Sequence, residues 1–419
     1  MNLRKLCYAA TVIAASVFSA NPSLAKAPLD ASLSPVALDS GAMNNTQAAP
    51  QVVWEDVVTF GDAAWCWVEL SDVTLPAGSL VRFTGLLDNE TQTLDTAQLA
   101  DWNFRSARFN GASVKIELIA GPNTTSNRVK VTQAMVSNQI IDDGSPRAIC
   151  GGTDDRIPSA NGAVGRWIAN TGLCTGWMME LNAGGPDRCF STAGHCAQGF
   201  TSGSMEFNVP NSLANCNTVA PPVADQFPIL AASVIFQNTG PGADWAVYRC
   251  GTNNLGQTAF QRYGVAIPLA TTGITNGTAV RHIGYGADGG NSCTCAGSNG
   301  TANATRQQSD GVLSGVTTND IQHNCDICGG DSGGVVIRIS DGFAVGNTTH
   351  DFGANCPGSS INGGTRITQA SWTSARAQCA GSLPVNDQVP AMSTEGMLVL
   401  LALMAVAGVL VLRGRQAVA

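Results

Sequence analysis

Residues 329–334 read Gly-Gly-Asp-Ser-Gly-Gly, and this stretch decides how the rest of the chain is interpreted. Upstream, residues 192–196 read Thr-Ala-Gly-His-Cys and residues 244–247 read Asp-Trp-Ala-Val. A serine hydroxyl is a poor nucleophile until a base removes its proton, and a buried carboxylate must hold that base in one tautomer. The candidate nucleophile, base and carboxylate are Ser332, His195 and Asp244.

The three candidate residues occur along the chain in the order His195, Asp244 and Ser332. His195 lies 49 residues before Asp244, which lies 88 residues before Ser332. In this order and spacing, the three segments resemble the trypsin/chymotrypsin family of serine peptidases. The resemblance covers residues 150–381, a little over half of the chain. It implies two six-stranded antiparallel β-barrels, with His195 and Asp244 on the first barrel and Ser332 on the second.

The resemblance also implies a reaction. Ser332 is expected to attack the scissile carbonyl group while His195 accepts its proton and Asp244 orients His195. The backbone N–H groups of Gly330 and Ser332 are expected to form the oxyanion hole. The implied activity is hydrolysis of polypeptide substrates through an acyl-enzyme, with no cofactor and no metal ion.

Two residues indicate different specificities for the substrate pocket. Asp326 lies six positions before Ser332, where the family has the residue at the pocket base, and a carboxylate there would pair with substrate Arg or Lys. His350 lies near the position where glutamate-specific relatives have a histidine, with Gly353 on the pocket wall. The structural alternative is that His350 packs beneath the pocket and bonds to Asp351 or the main chain. We expect cleavage after Arg or Lys, with Glu specificity as the alternative.

The residue before the nucleophile raises the question of activation. In the family, a newly released N-terminus, often Ile-Val-Gly-Gly, pairs through its amine with the aspartate at this position, which is Asp331 here. The chain contains no such tetrapeptide, and Arg156-Ile157 is followed by Pro158. We therefore expect another side chain or a backbone group to hold Asp331.

The composition indicates an all-β protein, and the N-terminal sequence indicates export. The 419 residues include 47 glycines, and only 12 % are charged, which suits turn-rich β structure. A net charge of −8 without a basic run gives no reason to expect nucleic-acid binding. Residues 1–25 combine a basic start, an apolar run and Ser-Leu-Ala, which predicts a secretory signal peptide.

The cysteines suit an oxidising compartment, because all but one of the 14 lie after the signal peptide. The family resemblance implies a Cys174–Cys196 bridge most directly and a Cys328–Cys356 bridge next. Cys66 is left without an expected partner. The other cysteines could form four further pairs of unknown connectivity: Cys150, Cys189, Cys216, Cys250, Cys293, Cys295, Cys325 and Cys379. Two short spacings, Cys293-Thr294-Cys295 and Cys325-x-x-Cys328, also occur in zinc sites, but export and the neighbouring nucleophile favour disulfides.

The sequence before the peptidase-like region divides in two. Residues 26–50 are rich in Ala, Pro, Ser and Asn, which predicts a flexible lead-in. Residues 51–145 contain runs with period-two alternation separated by Pro- and Gly-containing turns, which predicts a small β-sandwich. Its tryptophans are interpreted mainly as core, with a ligand-binding or inhibitory surface as the alternative: Trp54, Trp65, Trp67 and Trp102.

The C-terminal end predicts membrane attachment. Residues 396–412 form an uncharged apolar run at the lower limit for a membrane span, and the basic tail 413–419 favours a cytoplasmic C-terminus. The linker 382–395 contains Val389-Pro390-Ala391-Met392-Ser393, which resembles inexactly the Ile-Pro-Thr-Leu-Ser sorting motif of some Gram-negative surface proteins. The chain is thus expected at the bacterial cell surface or outside the cell, with a transient or permanent anchor.

A rival interpretation comes from another class of protein. The chain could be a surface adhesion or binding protein in which the N-terminal β-domain binds a partner and the peptidase-like region is inert or processes only itself. The complete set of His195, Asp244 and Ser332 argues against inertness. An obstructed pocket, however, would not be visible in the sequence, because these three residues would be unchanged.

Overall fold

The computed structural model describes residues 23–24, 27, 29, 31–138, 147–148, 154–181, 189–287, 302–351 and 361–381. The regular elements of these residues are mostly β-strands with few helices, which is the all-β class that the glycine-rich sequence predicts. In the described ranges, no helix combines the length and the apolar character that a membrane crossing needs. The predicted signal peptide up to residue 22 and the predicted linker, anchor and tail at 382–419 lie outside the described residues.

The N-terminal part is a β-sandwich made of two four-stranded sheets, which follow the short strand β1 (Ser23–Leu24). Its elements are β2 (Ala31–Asp39), β3 (Gln51–Thr59), β4 (Trp65–Thr74), β5 (Leu80–Gly85), β6 (Thr91–Leu94), α1 (Thr96–Asp101), β7 (Phe109–Asn110), β8 (Ser113–Ala120) and β9 (Arg128–Ser137). The strand orders are β2-β9-β4-β7 and β3-β8-β5-β6. Alternate residues such as Val81, Phe83, Val114 and Ile116 fill the core, as the period-two pattern predicts.

The prediction of a flexible lead-in over residues 26–50 is wrong for residues 31–39. Strand β2 pairs antiparallel with β9, from Ala31 opposite Ser137 to Asp39 opposite Lys130. The register shifts between Pro35 and Leu38. An edge strand tolerates a proline, and its small polar residues conceal the period-two pattern. The sandwich therefore includes Ala31 and does not begin at residue 51.

The peptidase-like part contains two larger sheets and a short pair of strands. Its first elements are β10 (Arg147–Ala148), β11 (Ile157–Pro158), β12 (Val164–Ala169), β13 (Gly172–Glu180), β14 (Cys189–Thr192), α2 (Gly194–Ala197), β15 (Gly203–Glu206), β16 (Gln226–Pro228), β17 (Ile235–Asn238), β18 (Asp244–Arg249), α3 (Ala259–Tyr263) and β19 (Ile267–Pro268). Two 3-10 turns lie at Val223–Asp225 and Ala231–Ser233. Its later elements are β20 (Ala279–Gly284), β21 (Gln307–Val316), β22 (Asp320–His323), β23 (Ile327–Cys328), β24 (Val335–Arg338), β25 (Ala344–Asn347), β26 (His350–Asp351), β27 (Asn362–Thr365) and α4 (Ala370–Gly381).

The two larger sheets are the two predicted barrels. In the first barrel the order is β16-β15-β12-β13-β14-β18-β17, with β19 beside β13. In the second it is β1-β26-β27-β22-β21-β20-β24-β25, with β11 beside β21. Short strands such as β1, β11 and β19 therefore extend the expected six-stranded sheets. The remaining pair joins β10 to β23, next to the loop that carries Ser332.

A buried ion cluster joins the sandwich to the first barrel. The Arg108 guanidinium, from the sandwich, donates to both carboxylate oxygens of Glu206 on β15, at 2.8 Å each. Arg166 on β12 donates to Glu206 Oε2 at 2.6 and 3.0 Å. Burial by itself would raise the pKa of Glu206, but the two guanidinium groups bring it below its ordinary value. Because a buried charge is tolerated only when it is paired, this cluster fixes where the sandwich contacts the barrel.

The sandwich tryptophans lie mainly in the interior. Trp65, Trp67 and Trp102 are buried, whereas Trp54 is only partly buried. Trp65 and Trp67 also belong to a cluster with Leu173 and other residues of the peptidase-like part. The structure therefore favours the interpretation of these tryptophans as core and contact residues between the two parts of the chain.

Candidate functional site

His195 is positioned by a short helix that follows strand β14. A Cβ atom on Gly194 would lie 1.8 Å from the carbonyl oxygen of Gln237, so only glycine allows α2 to approach β17 this closely. On the other side of His195, Cys196 is joined to Cys174 on β13 by a disulfide. The backbone around His195 is thus held by a close contact with β17 and by a covalent bond to β13.

Asp244, the first residue of β18, holds His195 at two points. Its Oδ1 accepts the His195 backbone N–H at 2.9 Å, and its Oδ2 lies 2.7 Å from His195 Nδ1. Thr365 on β27 bonds to the Asp244 backbone, since its Oγ1 accepts the N–H at 3.1 Å and donates to the carbonyl at 2.9 Å. The second barrel therefore helps to position the carboxylate of the first.

Ser332 completes the chain of hydrogen bonds. Its Oγ lies 2.8 Å from Nε2 of His195. The exposed fractions of His195, Asp244 and Ser332 are 3 %, 1 % and 0 %. The following residue, Gly333, has φ +83° and no space for a Cβ, which would lie 2.1 Å from Thr192 Oγ1. Burial strengthens these polar contacts, because little water competes for them.

Gly330 lies two residues before Ser332, where an oxyanion hole is expected. Its φ is +98°, which favours glycine, and a Cβ there would lie 2.5 Å from Leu173 Cδ2. The Gly329 carbonyl accepts the Ala287 N–H at 2.5 Å. This contact fixes the orientation of the peptide group that carries the Gly330 N–H.

Asp331 is held by a guanidinium group and by a backbone N–H group. Arg156 Nη1 lies 3.7 Å from Asp331 Oδ2, and the Cys328 N–H donates to the same oxygen at 2.8 Å. Arg156 also forms a close ion pair with Asp154. Burial raises the pKa of Asp331 to about 6, although Arg156 opposes this shift. Another side chain does hold Asp331, as expected, but Arg156 drew attention in the sequence only as a possible cleavage position.

The predicted pocket base lies in a small polar cluster. Asp326 is buried, and its Oδ2 accepts the Asp155 N–H at 2.9 Å. Its own N–H donates to Ser309 Oγ at 2.8 Å, and that hydroxyl donates to Asp155 Oδ1 at 2.7 Å. Gly353, expected on the pocket wall, lies outside the described residues. Asp326 is therefore held by one hydrogen bond at its N–H group and one at its carboxylate.

His350 lies on β26, close enough to Asp244 and His195 for their charges to influence it. It is buried, and its Nδ1 lies 2.5 Å from Thr349 Oγ1. Burial lowers the pKa of His350 to about 4, while the Asp244 charge opposes that shift. Its imidazole is consequently neutral at pH 7.

The other two histidines are core residues of the second barrel. His282 and His323 stack with ring centroids 6.1 Å apart and an interplanar angle of 9°. Burial is the main reason why the pKa of each falls to about 3. Both are therefore uncharged at pH 7.

A segment near the N-terminus lies beside the candidate site. Strand β1 pairs antiparallel with β26, with Ser23 opposite Asp351 and Leu24 opposite His350. Further along, Ala27 exchanges two backbone hydrogen bonds with Leu173, at 3.0 and 3.3 Å. His350 interacts with the Asp244–His195 pair, and Leu173 contacts the Gly330 position. The segment thus contacts two strands next to the site, β26 and β13.

The cysteines only partly follow the expected pairing. Besides Cys174–Cys196, a disulfide joins Cys189 on β14 to Cys379 on α4. Cys250 and Cys325, which were expected to join further bridges, are buried thiols, as is Cys66. Sequence spacing could not show this, since pairing depends on which cysteines meet in space. Cys356 lies outside the described residues, so its bridge with Cys328 stays a prediction.

Within the part of the chain that the structure describes, one group of three side chains has the residue types and the short distances of a metal site: Cys174, His195 and Cys196. Its two cysteines are joined to each other, so they supply no thiolate ligands.

Comparison with known proteins shows the family of the chain. The family model described as Trypsin matches residues 165–388, more than half of the chain. The chain belongs to the trypsin family. Its trypsin-family domain is a serine-peptidase domain that begins on β12 and includes all three site residues. No curated protein sequence matches the chain.

Several solved structures resemble the trypsin-family domain at low sequence identity. A Glu endopeptidase in complex with MPD is 17 % identical with a TM-score of 0.42, and the match covers 56 % of this chain and 100 % of that one. The thermostable serine protease AL20 from an extremophilic microorganism is 16 % identical with a TM-score of 0.39, covering 53 % and 96 %. The protease Anisep from Arthrobacter nicotinovorans is 19 % identical with a TM-score of 0.38, covering 51 % and 95 %.

Proposed function

We propose that this trypsin-family chain is an exported serine endopeptidase with Ser332 as nucleophile, His195 as general base and Asp244 as the orienting carboxylate. One observation carries the proposal. Asp244 Oδ2 lies 2.7 Å from His195 Nδ1, and His195 Nε2 lies 2.8 Å from Ser332 Oγ. These distances suit proton transfer from the hydroxyl to the imidazole.

Each step of the reaction has a group to perform it. Ser332 Oγ attacks the carbonyl carbon of the scissile bond, and its proton moves to His195 Nε2. Asp244 stabilises the imidazolium that forms. His195 then gives this proton to the leaving amine, which departs and leaves an acyl-enzyme. Water then attacks the acyl carbon as His195 takes its proton; the bond from that carbon to Ser332 Oγ breaks, the carboxylic acid product leaves, and His195 returns the proton to Oγ.

The N–H groups of Gly330 and Ser332 are proposed to bind the negatively charged oxygen of the tetrahedral intermediate. Fixed backbone donors are effective because they need no reorganisation as charge develops. The positive φ of Gly330 and the hydrogen bond from Ala287 to the preceding carbonyl support this assignment. Loss of one such donor costs roughly 100- to 1,000-fold in rate.

Export is proposed from the signal-like residues 1–25. In the fold, removal of these residues would change the surroundings of strand β26. Strand β1 lies within that region and pairs with His350 and Asp351 on β26. Cleavage near Ala25 would take β1 away and leave the backbone groups of β26 open to an extended substrate peptide. A C-terminal anchor at residues 396–412, at the surface of a Gram-negative cell, is part of the same proposal.

Cleavage after Arg or Lys is proposed from Asp326. Its buried position and the hydrogen bonds at its N–H group and its carboxylate support a role at the base of a pocket. Cleavage after Glu is the second candidate, because neutral His350 can donate a hydrogen bond to a carboxylate. The two candidates predict different residues before the cut bond, and peptide sequencing separates them.

The test compares the chain with its Ser332→Ala variant. A fluorophosphonate probe should label the unchanged chain and not the variant, and a peptide library should be cut by the unchanged chain alone. Cuts after Arg or Lys would support Asp326, and cuts after Glu would support His350. A correctly folded protein that neither reacts nor cuts after residues 1–25 are removed would favour the binding or adhesion alternative.

A further inference from the structure

Thr175 is a buried residue on β13 that the reaction described above does not use. It follows Cys174 directly and is fully inaccessible to solvent. Its hydroxyl and its backbone N–H both bond to the loop that carries Ser332, although Thr175 belongs to the first barrel and that loop to the second. A contact between the barrels at this point acts directly on the candidate oxyanion hole.

The hydrogen bonds of Thr175 fix the direction of its hydroxyl proton. The Tyr285 N–H donates to Thr175 Oγ1 at 2.8 Å, and Oγ1 donates to the Gly330 carbonyl at 2.9 Å. The Thr175 N–H donates to the Ser332 carbonyl at 2.8 Å. Thr175 thus holds a carbonyl on each side of Asp331, one of them through its side chain alone.

Gly330 needs such support more than another residue would. Glycine has a wide choice of backbone angles, and φ at Gly330 is +98°. The peptide group before Gly330 is held by the bond from Ala287 to the Gly329 carbonyl. The group after it is held by the Thr175 hydroxyl. With both adjoining peptide groups fixed, the Gly330 N–H keeps one direction.

We propose that Thr175 is a positioning residue that keeps the Gly330 N–H aimed at the oxyanion. It does not touch the reacting atoms, and it acts through the Gly330 carbonyl. The role rests on the proposed peptidase function. A hydroxyl is required, because a methyl group of equal size cannot donate to Gly330 or accept from Tyr285.

The test measures how fast a fluorophosphonate modifies Ser332 in the full chain and in its variants. The phosphoryl oxygen of the probe needs the oxyanion donors during reaction, whereas initial binding of the probe does not. For Thr175→Val we expect the maximal rate of modification to fall by about 10- to 100-fold, with the half-saturating probe concentration changed by less than about twofold. Thr175→Ser, which keeps the hydroxyl, should regain most of the rate.

The matched control is Ser191→Ala. It removes another buried hydroxyl, which donates to the Ala246 carbonyl at 2.9 Å and makes no bond to the nucleophile loop. We expect its rate of modification to be within about twofold of that of the unchanged chain. Thr175→Ala is measured as well, so that the result does not depend on one variant folding. Circular dichroism and the intact Cys174–Cys196 disulfide verify the fold of each protein.

The outcomes separate this proposal from the peptidase function. If the unchanged chain reacts and both hydroxyl-free variants react equally fast, Thr175 has no positioning role. The same conclusion follows if Ser191→Ala loses as much rate as Thr175→Val, or if Thr175→Ser fails to recover it. If the unchanged chain itself does not react after residues 1–25 are removed, the peptidase function fails first.

Discussion

Replacing Arg156 with methionine should destabilise the protein in a way that depends strongly on pH. Arg156 Nη1 lies 3.7 Å from Asp331 Oδ2, and both side chains are almost completely buried. The Asp331 carboxylate also packs so closely against Gly284 and Gly286 that no side chain fits at either glycine. These two positions therefore offer no side chain that could take the place of the lost guanidinium.

The size of the effect follows from the distance and from the pKa. At an effective dielectric constant of about 20, two charges 3.7 Å apart attract each other by about 4 kcal/mol. The loss is limited because Asp331, whose pKa is about 6, can bind a proton instead. At pH 8 that protonation costs about 3 kcal/mol, so Arg156→Met should lower the free energy of unfolding by about 3 kcal/mol.

The sign of the pH dependence distinguishes this mechanism from simple loss of packing. The pKa of Asp331 is higher in the folded state than the ordinary 3.8, so between about pH 4 and pH 6 the folded chain binds more protons than the unfolded one. The stability contributed by protonated Asp331 is therefore present below pH 4 and is lost as the pH rises through 6. At pH 5 Asp331 is already mostly protonated, so the loss due to Arg156→Met should shrink to below about 1 kcal/mol.

Urea unfolding followed by tryptophan fluorescence at pH 5 and pH 8 measures both values. The control repeats the comparison in the Asp331→Asn background, where Arg156→Met should cost much less at pH 8, although Asp154 still loses its partner. An equal loss at both pH values, or an equal loss in the control background, would show that Arg156 does not stabilise the Asp331 carboxylate. An active form whose chain begins at Ile157 would show the same. Cleavage before Ile157 creates a new amine there and separates it from Arg156.

Two further predictions concern stability away from the site. Burial raises the pKa of Asp320 to about 7, and its Oδ1 has no hydrogen-bond partner among the described residues. Asp320→Asn should therefore raise the free energy of unfolding, measured with urea, by about 1–3 kcal/mol at pH 8 and by little at pH 4. The Cys189–Cys379 bridge closes a loop of 190 residues, so replacing both cysteines with serine should cost up to about 5 kcal/mol; an unchanged thermal midpoint would contradict this estimate.

The residues proposed to carry out the chemistry could be predicted because they occur in dense local patterns. Ser332 and His195 lie beside glycines that their loops require, and those glycines are visible in the sequence. The alternation in β8 and β9 likewise predicts strands, since one face of each is buried. The edge strand β2 escaped prediction because it contains Pro35 and is mostly exposed.

The supporting contacts could not be predicted because they join residues that are distant in sequence. Arg156 meets Asp331, Thr175 meets Gly330, and Thr365 meets Asp244 only after the two barrels have packed together. No local pattern marks an arginine or a threonine for such a contact. The same holds for Cys250 and Cys325, whose sulfur atoms are buried without a bridge.

The sequence was sufficient to predict the all-β class, a small β-sandwich before a peptidase-like part, and His195, Asp244 and Ser332 as candidate catalytic residues. The class follows from the glycine-rich, weakly charged composition, the sandwich from period-two alternation, and the three residues from the resemblance of their motifs to the trypsin family. The tertiary structure alone decided that Arg156 holds Asp331, that Thr175 bonds to Gly330 and that Arg108 joins the sandwich to Glu206. Burial is the physical reason, because buried charges and polar groups need partners, and only the packed fold brings those partners together.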